Sequence, residues 1–392
     1  MSYKYFYLIS LSRFEYWKVD LNIGIFFTHD YSLKSWYETG TLDKELKIYR
    51  NLSKEYKVNF VFYTYGDSED IKILPNETGM KVFPIYDKFK RHNNKYVRLL
   101  FTFFLPFRIK KYTQDIDIIQ QHQLAGVWVS LIIKLLNKKP LYIRTGYDTY
   151  QFSLKENKPF LLILFYKFMT YCSLKYSDVY SVTSNSDIKF LEQNFITKPK
   201  KLVLRPNWVD GNKTSTSDRF SNKILSVGRL EKQKNYELLI KELKNTKGTL
   251  VLDIVGEGSL LESLQKLADE NSVEVNFLGV VNNENLMSMY QHYKFYISTS
   301  EFEGNPKTIL EAMVSGCVVI ASEIPNHVEL IDDGVNGFLF DLRSPNLQSL
   351  LQSIKDNVLI ENISNKAVES IKSSHSINKI SADYVNDYKA LI

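Results

Sequence analysis

The stretch Lys294–Ser322 reads KFYISTSEFEGNPKTILEAMVSGCVVIAS, and its three parts decide the fold. KFYISTS and CVVIAS are apolar runs rich in aromatic or β-branched residues, which is typical of strands buried on both faces. Between them, PKTILEAMVSG has the length of a short helix, and Pro306 suits its first position because a backbone N–H would go unused there. A strand, a helix and a second strand in this order predict one unit of a parallel sheet covered by helices.

The same alternation of strand-like and helix-like segments extends in both directions from this unit. In the first half of the chain, the predicted strands begin at Tyr5, Val58, Ile116, Pro140, Val179 and Lys201. A polar stretch without apolar periodicity, Lys213–Asn222, is predicted to be a linker, and KILSVG, TLVLDIVG and VEVNFLG continue the rhythm after it. We therefore expect an α/β protein with two Rossmann-like domains that face each other across a cleft. The predicted boundaries are 1–210 and 211–374, with a C-terminal helix at about 375–392 that packs back on the first domain.

Composition places the chain among ordinary globular proteins. Of its 392 residues, 44% are hydrophobic and 24% are charged, which is enough apolar material for two cores. Its two cysteines, Cys172 and Cys317, form neither a disulfide framework nor a metal-site spacing. Since the sequence shows no secretory signal, a cytoplasmic location is expected.

Charge is distributed unevenly between the two halves. Residues 1–210 contain 32 Lys+Arg against 20 Asp+Glu, whereas the remainder is acidic. Eight of the basic residues lie between Asp87 and Asp115, around the apolar run LLFTFFLPF at Leu99–Phe107. Two interpretations are open: a surface that docks on an anionic membrane, which would place the protein at the inner face of the cell membrane, or a buried helix with a solvated basic rim. Nucleic acid is less favoured, because no recognised binding motif accompanies the charge.

The most apolar segment is PFLLILFYKFMTYCSL, Pro159–Leu174. It is shorter than the roughly 18 uninterrupted apolar residues of a membrane span, and Lys167 interrupts it. A core helix is the first interpretation, and an interfacial helix is the second.

Two carboxylates mark the functional part of the opening stretch. Glu303 follows the first strand and is expected to point into the cleft, and Glu311 lies one to two turns into the helix. Free backbone N–H groups near Lys307 and Thr308, at the positive end of the helix, can hold a diphosphate. Because carboxylates repel phosphates, the two glutamates are predicted to bind hydroxyl groups of a sugar and a ribose.

Basic residues follow the first strand of the second domain, in SVGRLEKQKN at Ser226–Asn235. The guanidinium of Arg229 and the ammonium of Lys234 suit a diphosphate leaving group. In VGEGSL, the glycines on either side of Glu257 allow a tight turn into a helix, which is a weak signal by itself.

Taken in order, these motifs resemble those of the retaining GT-B glycosyltransferases, specifically the large family four group that uses nucleotide sugars. The matching segments are VGRLEKQKN, IVGEGSLLESL, VNFLGVV, STSEFEGNPKTILEAMVSGCVVIAS and GVNGFLF. The junction RPNWVDGNK, Arg205–Lys213, resembles the segment by which the family enters its second domain. In the first half, ETGTLDKELKIYRNL from Glu38 resembles the glycine-rich loop and helix that approach the donor phosphates.

The resemblance implies a role for each matching residue. Arg229 and Lys234 would bind the donor diphosphate and stabilise the departing nucleotide, and Glu303 would contact the transferred sugar. Glu311 would bind the ribose hydroxyls, and Gly40 would let the backbone approach the phosphates. The remaining donor-binding residues are expected to be Asn305, Lys307, Thr308 and Glu257. No cofactor and no metal is expected, since the basic pair and the helix dipole would neutralise the leaving group.

The sequence departs from the family pattern in several places. EGNP replaces the frequent E-G-F-G, so that Pro306 removes one amide, and GCVVI replaces G-T-P-V-I. Where many members carry a histidine after the fifth strand, this chain has YIRTGYDTY, and the nearest histidine lies one strand earlier. Acceptor or sugar contacts are therefore assigned to His122, Arg144, Tyr147 and Asp148.

The predicted activity is retaining transfer from a UDP- or GDP-sugar to a lipid-linked or polysaccharide acceptor, in cell-surface glycan synthesis of the bacterial type. One alternative is a nucleotide-sugar epimerase of the same fold, and another is a catalytically silent partner subunit at the membrane. Hydrolysis by the two carboxylates is disfavoured by the helix register and by the basic pair.

Overall fold

The computed structural model describes residues 21–75, 77–197, 199–213, 219–244 and 250–392. They form two α/β domains, each built on a parallel sheet. The strands of the N-terminal domain are β1 Leu21–Phe26, β2 Val58–Thr64, β3 Met80–Pro84, β4 Ile118–His122, β5 Leu141–Arg144, β6 Val179–Val182 and β7 Lys201–Leu204. Its helices are α1 Leu33–Glu38, α2 Leu42–Tyr56, α3 Ser68–Ile73, α4 Ile85–Lys88, α5 Lys95–Ile109, α6 Val127–Asn137, α7 Thr149–Lys155, α8 Phe160–Tyr176 and α9 Asn185–Asn194.

The second domain repeats the same plan. Its strands are β8 Phe220–Val227, β9 Val251–Val255, β10 Val275–Phe277, β11 Tyr293–Ser298, β12 Val318–Ser322 and β13 Phe338–Phe340. Its helices are α10 Tyr236–Leu243, α11 Leu261–Glu270, α12 Asn283–Tyr290, α13 Lys307–Val314, α14 Pro325–Val328, α15 Leu347–Ser353 and α16 Asn357–His375, and α17 Ile377–Lys389 ends the chain.

Strand order explains where each domain can bind a ligand. Among the described residues the orders are β3-β2-β1-β4-β5-β6-β7 and β10-β9-β8-β11-β12-β13, with every pairing parallel. The order reverses between β1 and β4 in one sheet and between β8 and β11 in the other. At such a switch point the connections leave in opposite directions and open a crevice at the carboxyl ends of the strands. The predicted α/β fold with two Rossmann-like domains is confirmed.

The structure differs from the sequence prediction at strand β1 and at the start of strand β8. The strand predicted from Tyr5 lies outside the described residues, and the sheet instead contains Leu21–Phe26, which the sequence analysis missed. Gly24 interrupts that apolar run, and a Cβ there would lie 2.6 Å from Ile116 Cδ1, so any larger residue would make the Ile116 side chain shift. The predicted linker Lys213–Asn222 is wrong at its end, because β8 already begins at Phe220; residues 214–218 are outside the described part.

The last helix, α17, packs on the N-terminal domain. Ile380, Tyr384 and Tyr388 join the core formed by α2 and one face of the first sheet. The Tyr388 hydroxyl donates to Gln120 Oε1 at 2.5 Å, and the buried carboxylate of Asp387 pairs with Arg205. The chain therefore crosses between the domains twice, once before β8 and once between α16 and α17.

Candidate active site

The Lys234–Glu303 pair lies at the switch point of the second sheet. The loop after β8 carries Lys234, and the loop after the neighbouring strand β11 carries Glu303. Their side chains are bonded to each other, and the Ser300 hydroxyl donates to Glu303 Oε1 at 2.7 Å. Gln233 braces the same loop by donating to the Phe302 carbonyl at 2.7 Å. A basic group and a carboxylate 69 residues apart in sequence thus meet at the edge of the sheet.

Electrostatics keep Glu303 ionised. The side chain is buried, and burial acts to raise its pKa, but the adjacent ammonium of Lys234 outweighs this effect and the pKa lies below its usual range. An ionised carboxylate accepts hydrogen bonds and donates none. Glu303 is therefore suited to receive hydroxyl groups of a bound sugar.

Arg229 occupies the exposed start of the same β8 loop. Its Nη2 atom is 3.5 Å from Gln233 Oε1, a long contact that leaves the guanidinium available to a ligand. Glu257 lies on the adjacent loop with an exposed side chain, and its carbonyl accepts a hydrogen bond from Leu230 N at 2.9 Å. This main-chain bond makes the β9 loop a support for Arg229, and the Glu257 carboxylate takes no part in it.

Glycine is required where these two loops touch. Gly256 has φ +141°, and a Cβ there would lie 2.1 Å from Gly228 O, in the backbone that precedes Arg229. We expect Gly256→Ala to push the β8 loop out of place and lower kcat/KM for transfer by about 10- to 100-fold, since misplacement of about 1 Å has such effects. Gly334→Ala is the control: Gly334 also has a positive φ, +69°, but a Cβ there meets nothing within 4 Å. Equal activities of the two variants would contradict the role given to this contact.

Helix α13 presents its N-terminal turn to the domain interface. Pro306 is the N-cap, one position before the site predicted for it, and the helix begins at Lys307. Thr308 lies beside the Tyr296 hydroxyl within the domain. Asn305 binds the linker between the domains: its Oδ1 accepts from Asn207 N at 2.9 Å, and its carbonyl accepts from Asn207 Nδ2 at 2.6 Å. Asn305, one of the predicted donor-binding residues, therefore joins the loop before α13 to the segment between β7 and β8.

Glu311 is buried one turn further along α13. It accepts from Asn283 Nδ2 and from the Tyr290 hydroxyl, both at 3.3 Å. Its Oε1 also pairs at 2.5 Å with Lys44 Nζ, which belongs to α2 of the other domain. The predicted ribose carboxylate is thus held by side chains from both sides of the cleft.

A second pair beside it has the opposite polarity. Lys307 of α13 binds Glu45 of α2, with 2.6 Å between Nζ and Oε1. Burial acts to raise the pKa of Glu45, but the charges of Lys307 and Arg144 and the hydrogen bond from Lys307 together lower it to about 2. Consecutive residues of α2 therefore exchange charges with α13, and these two ion pairs tie the domains together beside the site.

Gly40 precedes these residues and lies against the second domain. It has φ +67°, a conformation that favours glycine, and its Cβ position is 3.8 Å from Asn282 Cα. The chain can therefore turn directly into α2, so that the first turn of α2 reaches α13.

The four residues assigned to acceptor or sugar contacts do not form one cluster. His122 and Arg144 end the neighbouring strands β4 and β5, and both are buried. The His122 ring binds the Tyr49 hydroxyl, while Arg144 Nε donates to the Tyr384 hydroxyl at 2.7 Å. Burial, and then the charge of Arg144, lowers the pKa of His122 to about 3, so its imidazole is neutral at neutral pH.

Tyr147 and Asp148 belong to the loop after β5. Tyr147 is 40% exposed and interacts electrostatically with Arg229, which places it at the cleft. Asp148 is fully buried and caps α7 by accepting from Gln151 N at 2.8 Å. Burial raises the pKa of Asp148 to about 7. Tyr147 is thus the member of the set best placed to meet an acceptor, whereas Asp148 has a local structural role.

Sequence reasoning missed three side chains at this interface: Lys44, Glu45 and Lys155. Lys44 and Glu45 follow the glycine turn at the start of α2, so their place in the sequence could have predicted that they lie near the donor site. Lys155 stands 5.4 Å from the centre of the Phe302 ring and interacts electrostatically with Glu303. No sequence motif marks Lys155, because only the approach of the two domains brings it there.

The fold and the site define a class of protein: two doubly wound domains that face each other with a basic and acidic site between them, the GT-B architecture. The family model described as "Glycosyl transferases group 1" matches residues 213–373. The chain is 29% identical over 299 residues to the O-antigen biosynthesis glycosyltransferase WbnH of Escherichia coli, covering 76% of this chain and 82% of that protein. It is also 31% identical over 215 residues to an N-acetylgalactosaminyltransferase of Campylobacter jejuni whose name specifies a diphospho-undecaprenol acceptor, covering 53% and 59%.

Solved structures share the whole fold. A structure of Anabaena Alr3699/HepE in complex with UDP and glucose superposes with a TM-score of 0.73 at 17% identity, covering 95% of this chain and 100% of that one. Sucrose-phosphate synthase from Thermosynechococcus elongatus superposes with a TM-score of 0.78 at 14% identity, covering 95% and 99%. The chain therefore has the GT-B fold, and its residues 213–373 match the glycosyl transferases group 1 model.

Proposed function

We propose that the chain is a retaining glycosyltransferase that moves a sugar from a UDP- or GDP-sugar to a lipid-linked or polysaccharide acceptor in cell-surface glycan synthesis of the bacterial type. The observation that carries the proposal is the Lys234–Glu303 pair, which lies at the switch point close to the start of α13. The relatives support the acceptor class, since their names specify O-antigen synthesis and a diphospho-undecaprenol acceptor. Structural neighbours that contain UDP support the donor class.

In the proposed reaction the donor diphosphate lies between Arg229, Lys234 and the N-terminal amides of α13. Glu303 accepts hydrogen bonds from the transferred sugar, and Glu311 accepts them from the ribose after Lys44 yields its place. The acceptor hydroxyl attacks the anomeric carbon on the face from which the diphosphate departs, and its proton passes to a phosphate oxygen. The bond to the nucleotide breaks as the new glycosidic bond forms, so the anomeric configuration is retained. Positioning and charge stabilisation then account for catalysis.

We further propose that transfer requires no metal and no cofactor. Arg229, Lys234 and the dipole of α13 supply the positive charge that the leaving diphosphate needs. Among the described residues, no group of three or more His, Cys, Asp or Glu side chains is arranged to hold a metal ion. Transfer rates that are unchanged by EDTA would agree with the proposal, and loss of transfer that Mg²⁺ or Mn²⁺ restores would refute it.

A thermal-shift screen followed by product analysis tests the proposed activity. A nucleotide sugar at about 100 times its dissociation constant stabilises a protein by about 2.7 kcal/mol, which is readily measured. We expect a UDP- or GDP-sugar to stabilise the chain and a lipid-linked acceptor to be extended with retained configuration. An altered sugar nucleotide formed from the donor alone would instead indicate an epimerase. No stabilisation by any nucleotide would indicate a silent partner subunit.

A surface of the N-terminal domain supports docking on an anionic membrane. Leu100, Phe104 and Phe107 of α5 and Phe160 and Leu161 of α8 are all more than 60% exposed. Both helices pack on α6, since the ring of Trp128 in α6 is 5.2 Å from the Phe103 ring of α5 and 6.0 Å from the Phe165 ring of α8. We call these exposed parts of α5 and α8 the apolar face. The first interpretation of Pro159–Leu174, a core helix, is therefore wrong for its N-terminal half.

The basic residues around α5 are only partly free to attract lipid. Arg98 is bound to Asp30, with 2.5 Å between Nη2 and Oδ2, whereas Lys95, Lys110 and Lys111 are exposed. Each free basic group near an anionic surface contributes about 1 kcal/mol. Among the described residues, the helices are too short or too polar to cross a bilayer. Any membrane contact proposed for this part of the chain is therefore peripheral.

We expect the Phe104→Ser/Phe107→Ser double variant to bind phosphatidylglycerol-rich vesicles at least about 10-fold more weakly than the parent chain, since each exposed phenyl ring loses part of its transfer free energy. Sedimentation with vesicles at low salt measures this binding. Val358→Ser/Leu359→Ser is the matched control, because both residues are exposed apolar positions in α16 of the other domain. Equal loss in both double variants would remove the apolar face as the docking surface.

A further inference from the structure

His327 lies near the Lys234–Glu303 pair, and the proposed reaction does not use it. The three neighbouring strands β8, β11 and β12 are followed by the segments that carry Lys234, Glu303 and His327. His327 interacts electrostatically with both members of the pair and is completely buried. In the order of the strands, the segment of His327 therefore lies on one side of the Glu303 loop, and the segment of Lys234 lies on the other.

The hydrogen-bond partners of His327 define its tautomer. Its Nδ1 atom is 2.8 Å from the Ser322 carbonyl, which can only accept, so Nδ1 carries the proton and donates. Burial lowers the pKa of His327 to about 4, although Glu303 acts in the opposite direction, and the ring is neutral at neutral pH. The other nitrogen, Nε2, is therefore a hydrogen-bond acceptor.

This acceptor has no partner among the described residues. Nε2 of His327 is buried and makes no hydrogen bond, and buried polar atoms of this kind are uncommon in folded proteins. A hydrogen-bond donor would satisfy Nε2, and the Glu303 carboxylate, which interacts electrostatically with His327, is itself suited to hydroxyl groups. Adjacent hydroxyl groups of one sugar ring meet both conditions, because one can donate to Glu303 and the next to Nε2.

The segment that carries His327 lies at the contact between the two domains. Its segment touches α9 of the N-terminal domain through Glu329, whose carboxylate oxygens accept from Asn185 N and Ser186 N at 2.7 Å. Asn326 Nδ2 donates to the Ser186 hydroxyl at 3.0 Å. These contacts place the segment that carries His327 at the boundary of the cleft in which the donor is proposed to bind.

We propose that His327 is a specificity-determining residue, whose Nε2 accepts a hydrogen bond from a hydroxyl of the transferred sugar next to the hydroxyl held by Glu303. The proposal rests on the proposed function, because it assumes that Glu303 receives the donor sugar. Since only the sugar meets Nε2, the histidine contributes to the affinity for nucleotide sugars and not to the affinity for the nucleotide alone.

Two substitutions distinguish the role of Nδ1 of His327 from the role of Nε2. His327→Asn can keep a donor near the Nδ1 position but has nothing at the Nε2 position, whereas His327→Gln can place an acceptor near the Nε2 position. Calorimetry with UDP, GDP, UDP-glucose, UDP-galactose, UDP-N-acetylglucosamine and GDP-mannose identifies the best-bound nucleotide sugar and compares it with its free nucleotide. The exposed His292 provides the control His292→Asn.

We expect His327→Asn to bind the nucleotide sugar about 5- to 10-fold more weakly and the free nucleotide as the parent does, because one hydrogen bond is lost. His327→Gln should recover most of the lost affinity, and His292→Asn should bind both ligands normally. Unchanged sugar affinity in His327→Asn, or equal weakening of sugar and free nucleotide, would overturn the proposal while leaving the proposed function intact. Failure of the parent chain to bind any nucleotide would instead refute the proposed function, and the proposal with it.

Discussion

Replacing Lys234 with alanine is expected to lower kcat for sugar transfer by about 10²- to 10³-fold, the range found when one preorganised group that stabilises developing charge is removed. The Lys234 side chain is 16% exposed and its ammonium is bound to Glu303, so the charge is fixed beside the site before the donor arrives. Its loss leaves the departing diphosphate with only Arg229 and the start of α13. Initial rates of transfer with the donor identified by thermal shift measure the effect.

The Lys234→Ala result needs a control for folding, because the substitution also leaves a buried carboxylate without its cation. The double variant Lys234→Met/Glu303→Gln removes both charges and should unfold at a temperature close to that of the parent chain, yet remain inactive. Lys232→Ala changes an exposed lysine in the same short turn and should leave transfer unchanged. Normal turnover in Lys234→Ala would contradict the assignment of Lys234.

Replacing Asp387 with alanine is expected to lower the free energy of unfolding by about 3 kcal/mol, at the lower end of the range for breaking a buried ion pair. The Asp387 carboxylate is completely buried, and it lies 2.7 Å from Arg205 Nε, 2.8 Å from Lys201 Nζ and 3.2 Å from the Tyr142 hydroxyl. These contacts anchor α17 to the first sheet. Without them, Arg205, which is partly buried, has lost its carboxylate partner. Chemical denaturation followed by circular dichroism measures the change.

Asn386→Ala provides the comparison for α17. Asn386 is exposed in the preceding position, and its replacement should change the free energy of unfolding by less than about 0.5 kcal/mol. If Asp387→Ala were as stable as Asn386→Ala, the network around Asp387 would not hold the helix in place.

The sequence predicted the architecture because its evidence is local and repeated. Buried parallel strands give continuous apolar runs, and the ordered motifs around Glu303 and Glu311 predicted the GT-B class, which is confirmed. Strand β1 was missed because Gly24 weakens its apolar pattern, although the glycine leaves room for the Ile116 side chain to pack closely. A local sequence pattern predicts a strand well when the strand's own side chains determine its structure. It predicts the strand poorly when packing against a distant residue determines the structure.

The contacts within the site were less predictable for the same reason. Lys44 meets Glu311, and Lys307 meets Glu45, only because two domains approach each other, and no spacing in the sequence encodes that approach. Periodicity also could not distinguish a buried α8 from one with an exposed apolar face, since both give the same apolar run. The roles given to Arg229, Lys234, Glu303 and Glu311 remain predictions that ligand binding must test.

A crystal structure of the chain with UDP or GDP bound tests the central claim most directly. The account predicts phosphate oxygens within hydrogen-bond distance, about 2.7–2.9 Å, of Lys234 Nζ and the Arg229 guanidinium. It also predicts the ribose hydroxyls on Glu311, with Lys44 displaced from that carboxylate. A nucleotide bound elsewhere, with the Lys44–Glu311 and Lys234–Glu303 pairs undisturbed, would contradict the account.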